Sequence, residues 1–193
     1  MKKFLIGLVL LLCCPYIIGT FTSGDIAYED LRVAILTTRV GGNAPTLETF
    51  TDTLKAMRFA DNDEVHFSVQ MPHSWAEGTT IWPHVHFCAE GDGSGKNTEL
   101  GLEYSWQNID GTFPSSTDIK SGDEALSTAL DHLFADLSST GISGTGKMIS
   151  SVLVCRLYRD AASADNYTGN VFITDFDVHY LRNSAGSKTL ITK

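Results

Sequence analysis

From Glu64 to Met71 the chain alternates strictly, with Val65, Phe67, Val69 and Met71 on one face and polar residues on the other. A period of two is the signature of a half-buried β-strand, and it leaves little room for a helix. Similar apolar runs recur at 31–36, 79–88, 147–158 and 171–182, and Leu100, Leu102, Tyr104 and Trp106 make another alternating face. Between them lie turn-forming stretches at 41–43, 90–97, 108–114 and 160–170. Seven or eight strands, turn signals between them and no strand–helix–strand alternation point to an all-β chain, an antiparallel sandwich of jelly-roll form. One short helix is expected over 123–137, where Leu126, Leu130, Leu133 or Phe134, and Leu137 recur at intervals of three and four behind Ser121-Gly122-Asp123. Residues 45–59 fit neither pattern clearly.

The N-terminus carries a different signal. Met1-Lys2-Lys3 followed by the apolar run 4–12 has the charged start and short hydrophobic stretch of a secretory leader. The run extends through Pro15 to Phe21, so residues 1–24 read as a signal peptide or a hydrophobic anchor, with membrane contact only through 4–21. Residues 25–193 are then one β-sandwich domain, large enough for a full core. The expected location is a virion or the extracellular space.

A formal charge of −9, from 23 acidic and 14 basic residues, argues against nucleic acid as a partner, because no cluster of Lys or Arg exists beyond Lys2-Lys3. Two of the four cysteines lie in the leader. Cys88 and Cys155 sit in strand-like apolar runs, where a free thiol behaves as a small buried hydrophobe, although one disulfide between them would suit an oxidising compartment.

The stretch Gly78-x5-His84-x-His86-x3-Glu90 resembles the first motif of the cupins, small jelly-roll barrels that hold a divalent metal. Over thirteen residues the resemblance implies His84, His86 and Glu90 as ligands, with His179 of His179-x3-Asn183 as the fourth. Two imidazoles at i and i+2 on a strand share a face, and imidazole with carboxylate suits a divalent transition metal. Alternation places Ile81, Val85 and Phe87 on the opposite, core-directed face, which turns His84 and His86 outward; Trp82 and Cys88 share the histidine side, and a bulge imposed by Pro83 would re-aim the rings into the interior. His179, beside Asp175 and Asp177 on the polar face of the last strand, looks the same way, and Asp175 with Asp177 reads as a solvated strand face.

Gly141-Ile142-Ser143-Gly144-Thr145-Gly146-Lys147 imitates a phosphate-binding loop. Met148 stands where a magnesium-binding hydroxyl belongs, and a strand is expected to follow instead of a helix. Trp75, Trp82 and Trp106, with Phe67, Phe87, Tyr104 and Phe113, are expected to build core, with a sugar-binding aromatic shelf as the functional alternative.

Several phrases together resemble a group of largely uncharacterised phage-encoded proteins, thought to be virion components. They are Asp30-Leu31-Arg32-Val33, Val69-Gln70-Met71-Pro72-His73-Ser74-Trp75-Ala76-Glu77-Gly78-Thr79, Pro83-His84-Val85-His86-Phe87, Gly101-Leu102-Glu103-Tyr104-Ser105-Trp106 and Asp175-Phe176-Asp177-Val178-His179-Tyr180, before a Gly186-Ser187 tail. The likeness runs over most of 28–193. It implies a non-enzymatic jelly-roll structural protein of the capsid surface, head fibre or tail, present as a homo-oligomer or bound to other virion proteins. An exported cupin-like metalloenzyme and a secreted carbohydrate-binding module touching a surface glycan are the alternatives.

Overall fold

Period-two alternation builds two sheets whose apolar faces meet. A computed structural model describes residues 27–161 and 165–189; the hydrophobic segment 1–24, with Cys13 and Cys14, lies outside the described residues. The strands are β1 (Ala27–Ala34), β2 (Arg39–Val40), β3 (Thr46–Thr51), β4 (Leu54–Phe59), β5 (Glu64–Gln70), β6 (Ile81–Ala89), β7 (Asn97–Thr98), β8 (Leu100–Gln107), β9 (Thr117–Lys120), β10 (Glu124–Ala125), β11 (Leu133–Asp136), β12 (Val152–Arg159) and β13 (Val171–Arg182). The ambiguous segment 45–59 is the hairpin β3–β4, turning at Asp52 with φ of 50°. Among the described residues no helix is long and apolar enough to cross a membrane.

One sheet has six strands in the order β11-β6-β13-β4-β3, with β1 also paired to β13, and the other runs β2-β5-β12-β8-β9. The eight principal strands therefore face each other as β4-β13-β6-β11 over β5-β12-β8-β9. That interleaving of two Greek keys defines a jelly roll. Strand β13 organises the first sheet: β6 flanks it on one side, while β4 takes Val171–Ile173 and β1 takes Asp175–Arg182 on the other. A register shift against β6 falls between Ile173 and Asp175, a bulge that re-aims the side chains beyond it.

The inward faces pack one continuous core that includes Phe59, Val65, Val69, Val85, Phe87, Leu102, Trp106, Leu153, Leu157 and Phe176. Cys155 belongs to this core, whereas Cys88 lies on the outer side of β6 against Ala56 and Phe172, so the two buried thiols stay free. Burial pushes the Cys155 thiol up to about 12 and the Cys88 thiol up to about 11.

The helix expected at 123–137 does not form. This segment holds β10, a turn and β11; among the described residues the one helical element is a 3-10 turn at Ile35–Thr37. Two causes are visible. Ser127 and Thr128 donate their hydroxyls to the Asp131 carboxylate, closing a local turn that competes with helical hydrogen bonding, and Leu130 sits at φ of 61°. Residues 133–136 then pair with β6, covering an edge that would otherwise be open. Leu126 and Leu137 are buried from separate places, so their helical spacing is coincidental.

At one corner of the sandwich, Arg159 ends β12 with no exposed surface. Its guanidinium donates to Asp165 from Nε and Nη2 (2.7 and 3.1 Å) and to the carbonyls of Tyr167 and Gly169 (both 2.6 Å), and it lies 3.1 Å from Asp61. One side chain thus ties the turn after β4 to the loop before β13.

Candidate functional site

The outer face of the six-stranded sheet concentrates the chemistry. Because Ile81, Val85 and Phe87 of β6 point into the core, Trp82, His84, His86 and Cys88 project from the other side. Strand β13 sends Phe176, Val178 and Tyr180 inward and Asp175, Asp177 and His179 outward; β1 sends Leu31 and Val33 inward and Tyr28, Asp30 and Arg32 outward. Register then brings them together. Asp177 stands opposite His84 on one neighbour and Arg32 on the other, His179 stands between Trp82 and Asp30, and Phe134 of β11 faces His86.

His86 Nε2 lies 3.2 Å from Asp177 Oδ2, and His84 Nε2 lies 3.7 Å from the same oxygen. Arg32 holds Asp175 at 2.7 Å and reaches Asp177 Oδ1 only at 3.7 Å. His179 Nε2 is 2.5 Å from Asp30 Oδ1, and His86 Nδ1 is 2.8 Å from His132 Nε2. The His84 ring is enclosed by His179 and Phe134, with centroids 4.3 and 4.7 Å away. As a result His84 is 3% exposed and Asp177 4%, although both project from the outer face of the sheet. His84 Nδ1 and Asp177 Oδ1 are buried without a hydrogen-bond partner. Burial raises the Asp177 carboxyl above the ordinary carboxylate range against the pull of His84 and His86; burial, with the charge of His179, lowers the His84 imidazole.

Of the four residues singled out by the metal motif, His84, His86 and His179 share this face, and Glu90 does not join them. Glu90 accepts hydrogen bonds from Arg58 (3.2 Å) and Asn170 (2.8 Å) beyond the end of β6. The carboxylate among the imidazoles is Asp177, which the sequence pattern had placed on a solvated face; flanking by β1 and β6 on both sides buries it. His132 joins from the turn before β11, and no periodicity in the sequence marks it. Each residue of two overlapping groups, His84 with His86 and Asp177, and Asp30 with His84 and His179, offers a donor atom within 4.8 Å of the others.

Beside the cluster opens a cleft of about 450 Å³, lined among others by Asp30, Arg32, Phe50, His86, Leu130 and His132. Tyr28 and Phe134 stand exposed on the same face, and Tyr28 meets Trp82 edge-on at 5.5 Å. Among the other aromatic candidates, Trp75, Trp106 and Phe87 are buried and Phe67 and Tyr104 pack against the core, whereas Phe113 is exposed. The glycine loop 141–147 likewise serves packing, since a Cβ on Gly144 would come within 2.1 Å of the Thr79 carbonyl oxygen and 2.7 Å of the Trp75 ring.

The second sheet has an outer face of another kind. There Arg156 bonds Glu103 at 2.8 Å and Glu64 at 3.0 Å, and the Tyr158 hydroxyl donates to Asp118 at 2.7 Å. Two carboxylates thus satisfy Arg156.

No family model matches the chain, and no curated protein matches it. Among solved structures, a xylan-binding module is similar over 82% of this chain and 100% of its own, at 8% identity and a TM-score of 0.42. A family two carbohydrate esterase from Cellvibrio japonicus is similar over 86% of this chain and 36% of its own (10% identity, TM-score 0.39), and a structure of infectious bursal disease virus Gx strain over 81% and 32% (11% identity, TM-score 0.39). The chain spans about a third of the length of these last two. Its assignment as a jelly roll rests on its own strand order.

Proposed function

We propose that the chain is a non-enzymatic structural protein of the phage-virion type, which assembles with copies of itself through the outer face of its six-stranded sheet. The contrast between the two outer faces carries this reading. On one, Arg156 is paired with Glu64 and Glu103 and Tyr158 with Asp118; the other combines exposed Tyr28 (61%) and Phe134 (51%), a cleft, and buried polar atoms that lack partners. Exposed aromatic groups beside a concave, partly apolar surface are what the centres of subunit contacts select. The face also carries both signs of charge, Arg32 beside Asp30, Asp136 and Asp175, so a second copy rotated about a two-fold axis offers complementary groups. The space between the sheets is filled by side chains, which leaves the chemistry on the outside. The likeness in sequence to phage-encoded proteins supports a component displayed in several copies, at a virion surface or outside the cell.

Light scattering on the purified chain tests this. An oligomer is expected that Phe134→Glu weakens by at least about tenfold in concentration, as removal of a central aromatic anchor does. Val154→Glu, at a residue 52% exposed on the other sheet, is expected to leave it unchanged. A wild-type chain that is monomeric throughout, or equal sensitivity to both variants, overturns the proposal. A sugar-binding reading finds support in exposed Tyr28 against half-buried Trp82 beside the cleft; a glycan array on the Phe134→Glu monomer separates it, because assembly predicts no retained sugar.

A further inference from the structure

We propose that His84, His86 and Asp177 form a binding site for one divalent first-row transition metal within a single chain. The site goes beyond the assembly reading and does not depend on it, since all three ligands come from the adjacent strands β6 and β13.

Distances support the set. Ligand bonds of about 2.0–2.1 Å in tetrahedral geometry separate neighbouring donor atoms by roughly 3.3 Å. Here His86 Nε2 and Asp177 Oδ2 are 3.2 Å apart, and His84 Nε2 and Asp177 Oδ2 are 3.7 Å apart. The donors are thus gathered before any ion arrives. Burial supports the set as well: His84 and Asp177 are both more than nine-tenths buried, so the facing donors His84 Nε2 and Asp177 Oδ2 meet little water and an ion between them would supply the solvation they lack. Two imidazoles and one carboxylate select zinc, cobalt or nickel over magnesium or calcium, which prefer oxygen throughout.

The surroundings match what such a site needs. His86 Nδ1 faces His132 Nε2 at 2.8 Å, a contact that fixes the ring so that Nε2 is presented to the ion. Arg32 steadies Asp177 from the opposite strand at 3.7 Å. Because His86 and Asp177 also line the cleft, a fourth position is reachable from solvent. Glu90, engaged with Arg58 and Asn170, has no part in the site, which sits on the outside of the jelly roll and not in its interior.

The experiment is titration of the full-length, chelator-treated chain with Co²⁺ and Zn²⁺, followed by calorimetry and by the visible absorption of bound cobalt. One equivalent per chain is expected. Asp177→Asn and His86→Gln should each weaken binding by roughly 100-fold or more and abolish the cobalt bands, and His132→Gln should weaken it by about 10–100-fold. Glu90→Gln should change nothing. Because His86 is partly exposed, its variant keeps the fold, checked by circular dichroism, even where substitution of buried Asp177 does not. Failure to bind one equivalent, binding unchanged in His86→Gln, or binding lost in Glu90→Gln with the fold intact overturns the site. One equivalent bound by a chain that light scattering shows to be monomeric would uphold the site whatever the fate of the assembly proposal.

Discussion

Arg159→Met is expected to lower the stability of the domain by about 3–5 kcal/mol, because it removes the cation from a buried, hydrogen-bonded ion pair and leaves the anion behind. The Asp165 side chain, itself 3% exposed, would lose both of its guanidinium bonds, and the carbonyls of Tyr167 and Gly169 would lose theirs. Lysine cannot replace the fork: a single ammonium cannot serve Asp165 and two carbonyls set apart around a planar group, so Arg159→Lys is expected to recover only part of the loss. The contrasting variant is Arg156→Met on the outer face of the second sheet. Its ion pairs to Glu64 and Glu103 are partly solvated, and the expected change is within about 1 kcal/mol. Urea denaturation of the three variants is the check, and equal losses at positions 156 and 159 would contradict the assignment of Arg159 as the tie between the two loops.

Trp75→Ala is expected to cost a further class of stability, about 3–5 kcal/mol, from the cavity left by the largest fully buried side chain of the molecule. The indole lies tilted against Trp106 at 5.7 Å, and its Nε1 donates to Thr79 Oγ1 at 2.9 Å. It fills the corner where the chain crosses from β5 to β6. Trp82→Ala removes a half-buried ring from the outer face and should cost about 1 kcal/mol, with little cavity to leave. Denaturation midpoints separate the two tryptophans. A small effect at Trp75 would mean that the ring is a surface shelf after all.

Alternation made much of this architecture legible. The faces of β5, β6, β8 and β13 follow directly from the order of apolar and polar residues, and so does the outward direction of His84, His86 and His179. What alternation could not convey is which outward residues end up buried. Asp177 and His84 are enclosed by neighbours from β1 and β11, strands distant in sequence, and the bulge after Ile173 brings Asp177 beside both imidazoles. Glu90 occupied the motif position for a carboxylate, yet β6 ends at Ala89 and Glu90 turns to Arg58 and Asn170. The leucines at 126, 130, 133 and 137 imitated a helix because spacing alone does not record that Ser127, Thr128 and Asp131 close a turn or that β6 needs an edge partner. Arg159 carried no signal at all. A basic residue at the end of an apolar strand is ordinarily solvated, and only the loop folded over it makes it structural.

Modification of histidines by diethylpyrocarbonate tests most directly whether the six-stranded sheet is the working surface. His132 and His179 lie on that face, while His66 lies on the outer face of the other sheet and is comparably exposed, which makes it an internal control. In chelator-treated protein, His132 and His179 should react slowly in the assembled wild type and rapidly in the Phe134→Glu monomer, with His66 equally reactive in both. Protection of His66 instead, or identical reactivity of all three in the two proteins, would contradict assembly through the histidine face.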